Sequence, residues 1–444
     1  MNIDIVKEYI IIVNGGSGCI FQPMDNTYSY VLTAKHNITN SDNKITQLIR
    51  FKLNNNNWNE IEIPFNDLVE NENYFPHPNR DIAIIKISKI NDLENIIRFD
   101  DIKNERGGFI LAGYPETRRK ANPNVKANWY RYDENVTILD LKDSQLKEGQ
   151  VPNNAGFEEI VGHSGGGILK ISDDYIILAG IQNKMADAEN EQLGRIKFSP
   201  ISLFDEIINV NPQHLSALHP PYYQSFAFLK EQIMKLDGCF QRENIEYTRL
   251  CLQNLVDEII DNPLTPNIIK DKLNTRMLVE NEDENIFFRK GLWVAWLEFL
   301  IVLTIIGENP KTEQELEGIF NKYRIIYSSS KEDWGNLFKD KIAYSDYKGL
   351  KENACVIFAN ETLPQKTIVK KGMISNIARF IPRKQMKIDE GVSNPFESFT
   401  HIHIHAFQKD CVINKEQDYS HFDNTNEVEL FKKLKQEYES IIRC

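Results

Sequence analysis

The chain carries little that could cross-link it covalently. Its 444 residues include six cysteines (Cys19, Cys239, Cys251, Cys355, Cys411 and Cys444), with no CxxC pair and no spacing that suggests a disulfide framework. A basic tail and a dense Lys/Arg stripe are both absent, and the net charge is −12, so tight nonspecific binding to nucleic acid is not expected. Long apolar runs are scarce too. The strongest, GLWVAWLEFLIVLTIIG at 291–307, falls short of the roughly 20 residues needed to span a bilayer, and Glu298 interrupts it. It reads as a buried helix. No GxxxxGK[ST] loop is present to cradle a nucleotide phosphate. The opening MNIDIVKEYI lacks the basic start and apolar run of a signal peptide. Together these absences predict a reducing, cytoplasmic location and no membrane partner.

What is present is enough for real cores: 41% of the residues are hydrophobic and 10% aromatic, over a length that predicts two or three domains. Short apolar segments at 8–13, 18–22, 28–34, 82–87, 108–114, 167–171 and 175–181 read as strands. Asn, Asp, Gly and Pro clusters such as NNNN at 54–57 punctuate them. Many short strands with turn-rich connections predict an all-β sandwich or barrel. SPISLFDEIINV at 199–210 reads as a short amphipathic helix. NPQHLSALHPPYY at 211–223 reads as a linker, because paired prolines cannot continue a helix. The apolar period then becomes helical in SFAFLKEQIMKLDGCF, NIEYTRLCLQNLVDEIID and RKGLWVAWLEFLIVLTII. A mixed segment follows and closes on the amphipathic NEVELFKKLKQEYESIIRC. The expected organisation is an all-β domain over 1–210, a helical domain over 211–308 and an α+β domain over 309–444.

Three residues of the first domain carry chemistry. Ser164 sits in VGHSGGG, where glycines on both sides let the chain turn sharply and approach other segments closely. A serine on such a turn can offer backbone N–H groups, here those of Gly162 and Ser164, to a developing oxyanion. His36 follows the strand YVLTAK, and histidine is the natural general base near neutral pH. Asp81 opens DIAIIKI at the edge of an apolar strand, where an imidazole N–H would satisfy it and fix the tautomer. Each alone also fits a plain structural role: a flexible turn, a packed histidine, a turn-capping aspartate.

Taken together and in this order, YVLTAKH, DIAIIKI and GHSGGGIL resemble the His, Asp and Ser motifs of the trypsin-like serine proteases, in particular their disulfide-free bacterial members. GGSGC at 15–19, LAGYP at 111–115, ILAGI at 177–181 and RIKFSPI at 195–201 resemble the surrounding strands of that family, so the likeness covers about residues 5–205. It implies a chymotrypsin-like double β-barrel. It also implies an endopeptidase acting on protein or peptide, in which Ser164 attacks, His36 takes the proton, Asp81 orients His36, and the amides of Gly162 and Ser164 bind the oxyanion. No metal or organic cofactor is implied.

The sequence departs from that pattern in places. His163 stands where secreted members carry an aspartate that pairs with a new N-terminus. No basic activation site followed by IVGG occurs near the start, so activation by clipping is not expected. Asn37 follows His36 where a half-cystine is common, and Lys35 precedes it where a small residue is commoner. The resemblance implies that residues a few positions before the serine form the base of the specificity pocket. Glu158 and Glu159 stand there and would select Arg or Lys before the cut; the alternative is a solvated acidic loop. Gln182, Asn183 and Lys184 would form the pocket wall.

In the second half, HIHIH places His401, His403 and His405 on one face of a strand, a pattern that could hold zinc or copper. With no fourth ligand at a suitable spacing, a half-exposed strand without metal is the expectation. The tail with HIHIHAFQKDC, about the last 130 residues, is similar to C-terminal domains of three-component conflict systems that pair an effector with an ABC-type ATPase. That likeness implies a regulatory protein partner, an ATPase among the candidates, and an effector role in anti-phage defence. A catalytically silent trypsin-like scaffold that binds peptides is the competing reading. An HtrA-type housekeeping protease is a third, but its PDZ domain would be β-rich where residues 224–306 read as helical.

Overall fold

The computed structural model describes the chain apart from residues 1–2, 40–43, 66, 92, 94–95, 100–106, 140–145, 153–161, 173–174, 187–193, 281, 283, 337–343, 352, 370–398 and 444. It divides into two compact units, Met1–Pro221 and Tyr222–Cys444.

The first unit is β-rich. Its first sheet is built from β1 (Ile10–Val13), β2 (Gly16–Phe21), β3 (Tyr28–Thr33), β4 (Leu48–Asn54), β5 (Asn57–Glu62), β6 (Tyr74–Pro76) and β7 (Ala83–Ser88), in the order β5-β4-β1-β2-β3-β7-β6. All neighbours run antiparallel. The β-branched runs IIIV of β1 and AII of β7 are wholly buried, the signature of strands covered on both faces. The NNNN stretch is a tight hairpin turn between β4 and β5. Asn55 and Asn56 take φ of 48° and 64° there, which asparagine tolerates better than most residues.

The second sheet contains β8 (Ile96–Arg98), β9 (Phe109–Gly113), β10 (Arg131–Leu139), β11 (Lys147–Gln150), β12 (Gly167–Ser172), β13 (Tyr175–Met185) and β14 (Arg195–Pro200). The order runs β12-β9-β10-β11-β14-β13, and β12 pairs with β13 as well, so six strands close a barrel while β8 adds to β13 in parallel. Closure leaves those six strands no open edge. The all-β unit with a closed barrel agrees with the expected fold class; where the resemblance implied two barrels, the described residues form one closed barrel and a second seven-stranded sheet.

Two local expectations changed. Glu8 and Tyr9 belong to a helical turn, Val6–Tyr9, rather than to β1. The segment read as a linker is instead docked on the first unit. Leu215 and Leu218 are buried, Tyr30 donates to Ser216 O at 3.0 Å, and Met24 N–H donates to Ala217 O at 3.0 Å. Two leucines in a proline-rich stretch had an apolar surface to cover.

The second unit is helical, then mixed. Its helices Glu246–Ile260, Pro266–Leu273, Lys290–Ile306 and Glu313–Phe320 lead into a sheet of β15 (Tyr323–Tyr327), β16 (Cys355–Ala359), β17 (Ile368–Val369) and β18 (Thr400–His403). The order is β15-β16-β18-β17, with β15, β16 and β18 parallel. The helix Glu427–Ile442 closes the chain's described part. Among the described residues no helix is long and apolar enough to cross a membrane. Lys290–Ile306 is instead buried on most of its faces, and Gly307 ends it in the left-handed region at φ 79°. Glu298 inside that helix has protein partners. It accepts from Met234 N–H and from Gln408 Nε2, both at 2.8 Å.

Those bonds explain a third difference. The segment SFAFLKEQIMKLDGCF has a helical apolar period, yet only Phe226–Gln232 forms a short 3-10 helix. Beyond it Met234 and Leu236 take φ of 44° and 53°. Their N–H groups go to the side chains of Glu298 and Gln408 instead of to carbonyls of their own turn.

Candidate active site

Three segments distant in sequence meet in the first unit. His36 opens a single helical turn, His36–Thr39, just after β3. Asp81 precedes β7, the partner of β3, so the antiparallel register of β3 and β7 (Thr33 opposite Ala83) brings the two loops together. His36 Nδ1 donates to Asp81 Oδ2 at 2.7 Å, and the backbone N–H of His36 donates to Asp81 Oδ1 at 2.9 Å. Both carboxylate oxygens are thus engaged with one residue. Since Nδ1 carries the proton, Nε2 of the neutral ring is the acceptor, which is the tautomer a general base requires.

The loop bearing Asp81 is held from outside. Lys35 Nζ donates to His77 O at 2.9 Å, and His77 Nε2 bonds Glu206 Oε2 at 3.0 Å. Arg80 Nη2 reaches Glu206 Oε1 at 3.0 Å. The hydrogen bond from His77, with Arg80 beside it, holds the Glu206 carboxyl below its usual range. Lys35, anomalous as sequence, is therefore an anchor for the neighbouring loop.

Ser164 lies on the turn before β12, flanked by Gly162 at φ 90° and Gly165 at φ 88°. Its carbonyl accepts from Ser17 N–H and from Asn37 Nδ2, each at 2.8 Å. Asn37 is the residue next to His36, so one hydrogen bond links the Ser164 loop to the His36 turn. The hydroxyl of Ser164 donates to Asn183 O at 3.0 Å. Asn183 in turn gives its Nδ2 to the carbonyl of Asp81 and accepts from Ser199 Oγ at 2.8 Å. Among the described residues no hydrogen bond joins the Ser164 hydroxyl to His36, and neither the Gly162 nor the Ser164 amide donates to another group of the protein.

The glycines around the serine are dictated by crowding. A Cβ on Gly165 would lie 1.8 Å from Ser17 O and 2.5 Å from Thr33 Oγ1. His163 is completely buried beside Gly113, where a Cβ would sit 2.6 Å from its Cδ2.

Of the residues expected to shape specificity, Glu158 and Glu159 lie outside the described residues. Gln182 and Asn183 are buried on β13, with Gln182 bonded through its backbone to Gly165 and Gly166, while Lys184 is exposed. Asn183 thus touches both Ser164 and Asp81. Asn37 was visible in the sequence only as a missing cysteine; its three acceptors depend on the fold.

The three histidines belong to the second unit. β18 is an inner strand, so His401 and His403 are buried at 1% and 2% exposure instead of half-exposed. His401 Nε2 and Tyr347 Oη are 3.2 Å apart, and His403 Nε2 bonds Asn360 Oδ1 at 3.1 Å. Burial pushes both imidazoles down to about 3, which keeps them neutral. Among the described residues no group of His, Cys, Asp and Glu is placed to hold a metal ion.

Comparison with known proteins supplies the second half of the picture. Residues 198–413 match the family model of C-terminal domain 4 of the ABC-three component (ABC-3C) systems. The matched segment starts earlier than the tail alone, within β14, and stops short of the helix Glu427–Ile442. Among solved structures, the chain is similar to the HtrA-type protease AlgW with decapeptide, at 16% identity and a TM-score of 0.30 over 45% of this chain. The likeness spans about half of that relative's length, 52%. No curated protein matches the chain.

Proposed function

We propose that the first unit is a serine endopeptidase in which Ser164 is the nucleophile, His36 the general base and Asp81 its orienting carboxylate, and that the chain serves as an effector of an ABC-three component defence system. The observation that carries this reading is the double grip of Asp81 on His36, with Ser164 tied to both loops through Asn37 and Asn183. Ser164 would attack the scissile carbonyl, and His36 Nε2 would take the hydroxyl proton and return it to the leaving amine. The amides of Gly162 and Ser164 would receive the oxyanion, worth about 10²–10³ in rate for such a donor.

The reading includes restraint. The Ser164 hydroxyl rests on Asn183 O, so it must turn toward His36 before the proton can move. A partner component, an ATPase among the candidates, would favour the turned state by binding it better. Such control suits a protease working in the cytoplasm, where its substrates surround it. The same hydrogen bond favours the second reading, a silent scaffold that binds peptide without cutting it.

Labelling by a fluorophosphonate probe decides between them. The full chain should react slowly alone and at least tenfold faster with the other components of its system. Ser164→Ala should abolish both labelling and toxicity to the host cell. A chain that stays unlabelled with every component present, or whose toxicity survives Ser164→Ala, would leave only the scaffold.

A further inference from the structure

The carboxamide of Asn37 is buried, and its Nδ2 has three acceptors: Ser164 O at 2.8 Å, Thr33 Oγ1 at 3.0 Å and Ser17 O at 3.1 Å. Two hydrogens serve all three, so the group is fully committed as a donor. Its surroundings are cut to fit. A Cβ on Gly16 would stand 2.2 Å from the Asn37 Oδ1 and 2.6 Å from its Nδ2. The backbone carbonyl of Asn37 is fixed as well, accepting from Asn14 Nδ2 at 2.8 Å. Asn14 Oδ1 in turn receives the N–H of Thr46 at 2.8 Å.

We propose that Asn37 is a positioning residue that sets the backbone of Ser164 against His36. The inference rests on the protease reading above. His36 and Asn37 are consecutive on one helical turn, with His36 fixed by Asp81 and Asn37 fixed to the carbonyl of Ser164. Holding that carbonyl fixes the peptide that follows the nucleophile, and with it the direction in which Ser164 presents its side chain. An error of about 1 Å in such an alignment costs on the order of 10²-fold in rate.

Asn37→Asp tests this at constant size. A carboxylate has no N–H and would face three acceptors. At pH 7.5 the fluorophosphonate labelling rate and kcat on a peptide substrate should fall about 10²-fold, with KM changed less than threefold, in chain that melts cooperatively above the assay temperature. As pH falls the substituted carboxyl regains an O–H donor, at a pH above the ordinary aspartate range because it is buried against acceptors, so the ratio of variant to parent rates should rise. A purely structural role would not produce that rescue. Gly16→Ala, which displaces the carboxamide without altering it, should reproduce the loss at pH 7.5 but not the acid recovery. Folded Asn37→Asp chain labelling within threefold of the parent would overturn the proposal. A readout free of catalysis separates this failure from that of the protease reading. In the Ser164→Ala background, Asn37→Asp should speed amide exchange at Ser17, whose N–H bonds the same carbonyl, at least tenfold. If the parent never reacts with the probe, the protease reading falls, and unchanged exchange at Ser17 would sink the positioning inference on its own.

Discussion

At Gly165 a methyl group has nowhere to go. The nearest atom, Ser17 O at 1.8 Å, belongs to the backbone of β2 and cannot rotate aside, and φ of 88° adds strain for any residue with a Cβ. Gly165→Ala should therefore push the Ser164 loop off β2, breaking the bond from Ser17 N–H to Ser164 O. We expect a loss of stability of at least about 2 kcal/mol together with the loss of fluorophosphonate labelling. Urea unfolding of the full chain measures the first and the probe the second. Unchanged stability and labelling would mean that the turn does not pack against β2. The same logic separates functional from merely polar residues elsewhere. His401 and His403 have ring neighbours and hydrogen-bond partners within the protein, so their alternation marks a buried strand.

Among the elements, the helix Lys290–Ile306 shows how one polar group can organise its neighbours. Glu298 collects the N–H of Met234 and the carboxamide of Gln408, drawing two non-adjacent segments onto the helix. Burial pushes its carboxyl up to about 7 from an ordinary 4.5. The sign follows: between those values the folded chain binds a proton that the unfolded chain does not, so stability falls as pH rises through that window. The full cost, on the order of 3 kcal/mol, is reached above pH 7. Glu298→Gln keeps an oxygen for both donors and has no charge to desolvate. In urea, the parent should lose stability between pH 5 and pH 8, and the variant should lose less. Equal pH dependence in the two chains would show that Glu298 is not ionised against a penalty.

For the whole molecule, the family match and the compact units do not share a boundary. The match begins at residue 198, inside β14, whereas the first unit runs to Pro221. β14 pairs with both β11 and β13, and the barrel closes through it. After it, Phe204, Ile207, Leu215 and Leu218 contribute to the first unit's core. A chain ended after residue 197 should fail to fold, because it opens the barrel and uncovers that core. A chain ended after residue 221 should keep its sheet signal in circular dichroism and melt cooperatively. If both truncations melted alike, β14 and the docked segment after it would be dispensable. The matched segment thus begins on residues that also complete the first unit.

The sequence determined by itself most of what depends on neighbours along the chain. β-branched runs made strands because they pack on a pleated, covered surface. Helical apolar periods at Glu246–Ile260 and Lys290–Ile306 made helices, and glycine-flanked Ser164, strand-end His36 and strand-opening Asp81 stood out as a set. Only the tertiary structure decided what depends on residues far apart. It assigned Asn37 and Asn183 their acceptors on three other segments, and drew residues 211–221 onto the first unit. It also unwound the helical period after Gln232 in favour of Glu298 and Gln408, and buried the HIHIH strand between two others. The physical reason is that a hydrogen bond or a buried face is satisfied by whatever the fold brings within about 3 Å, and sequence spacing does not encode that distance.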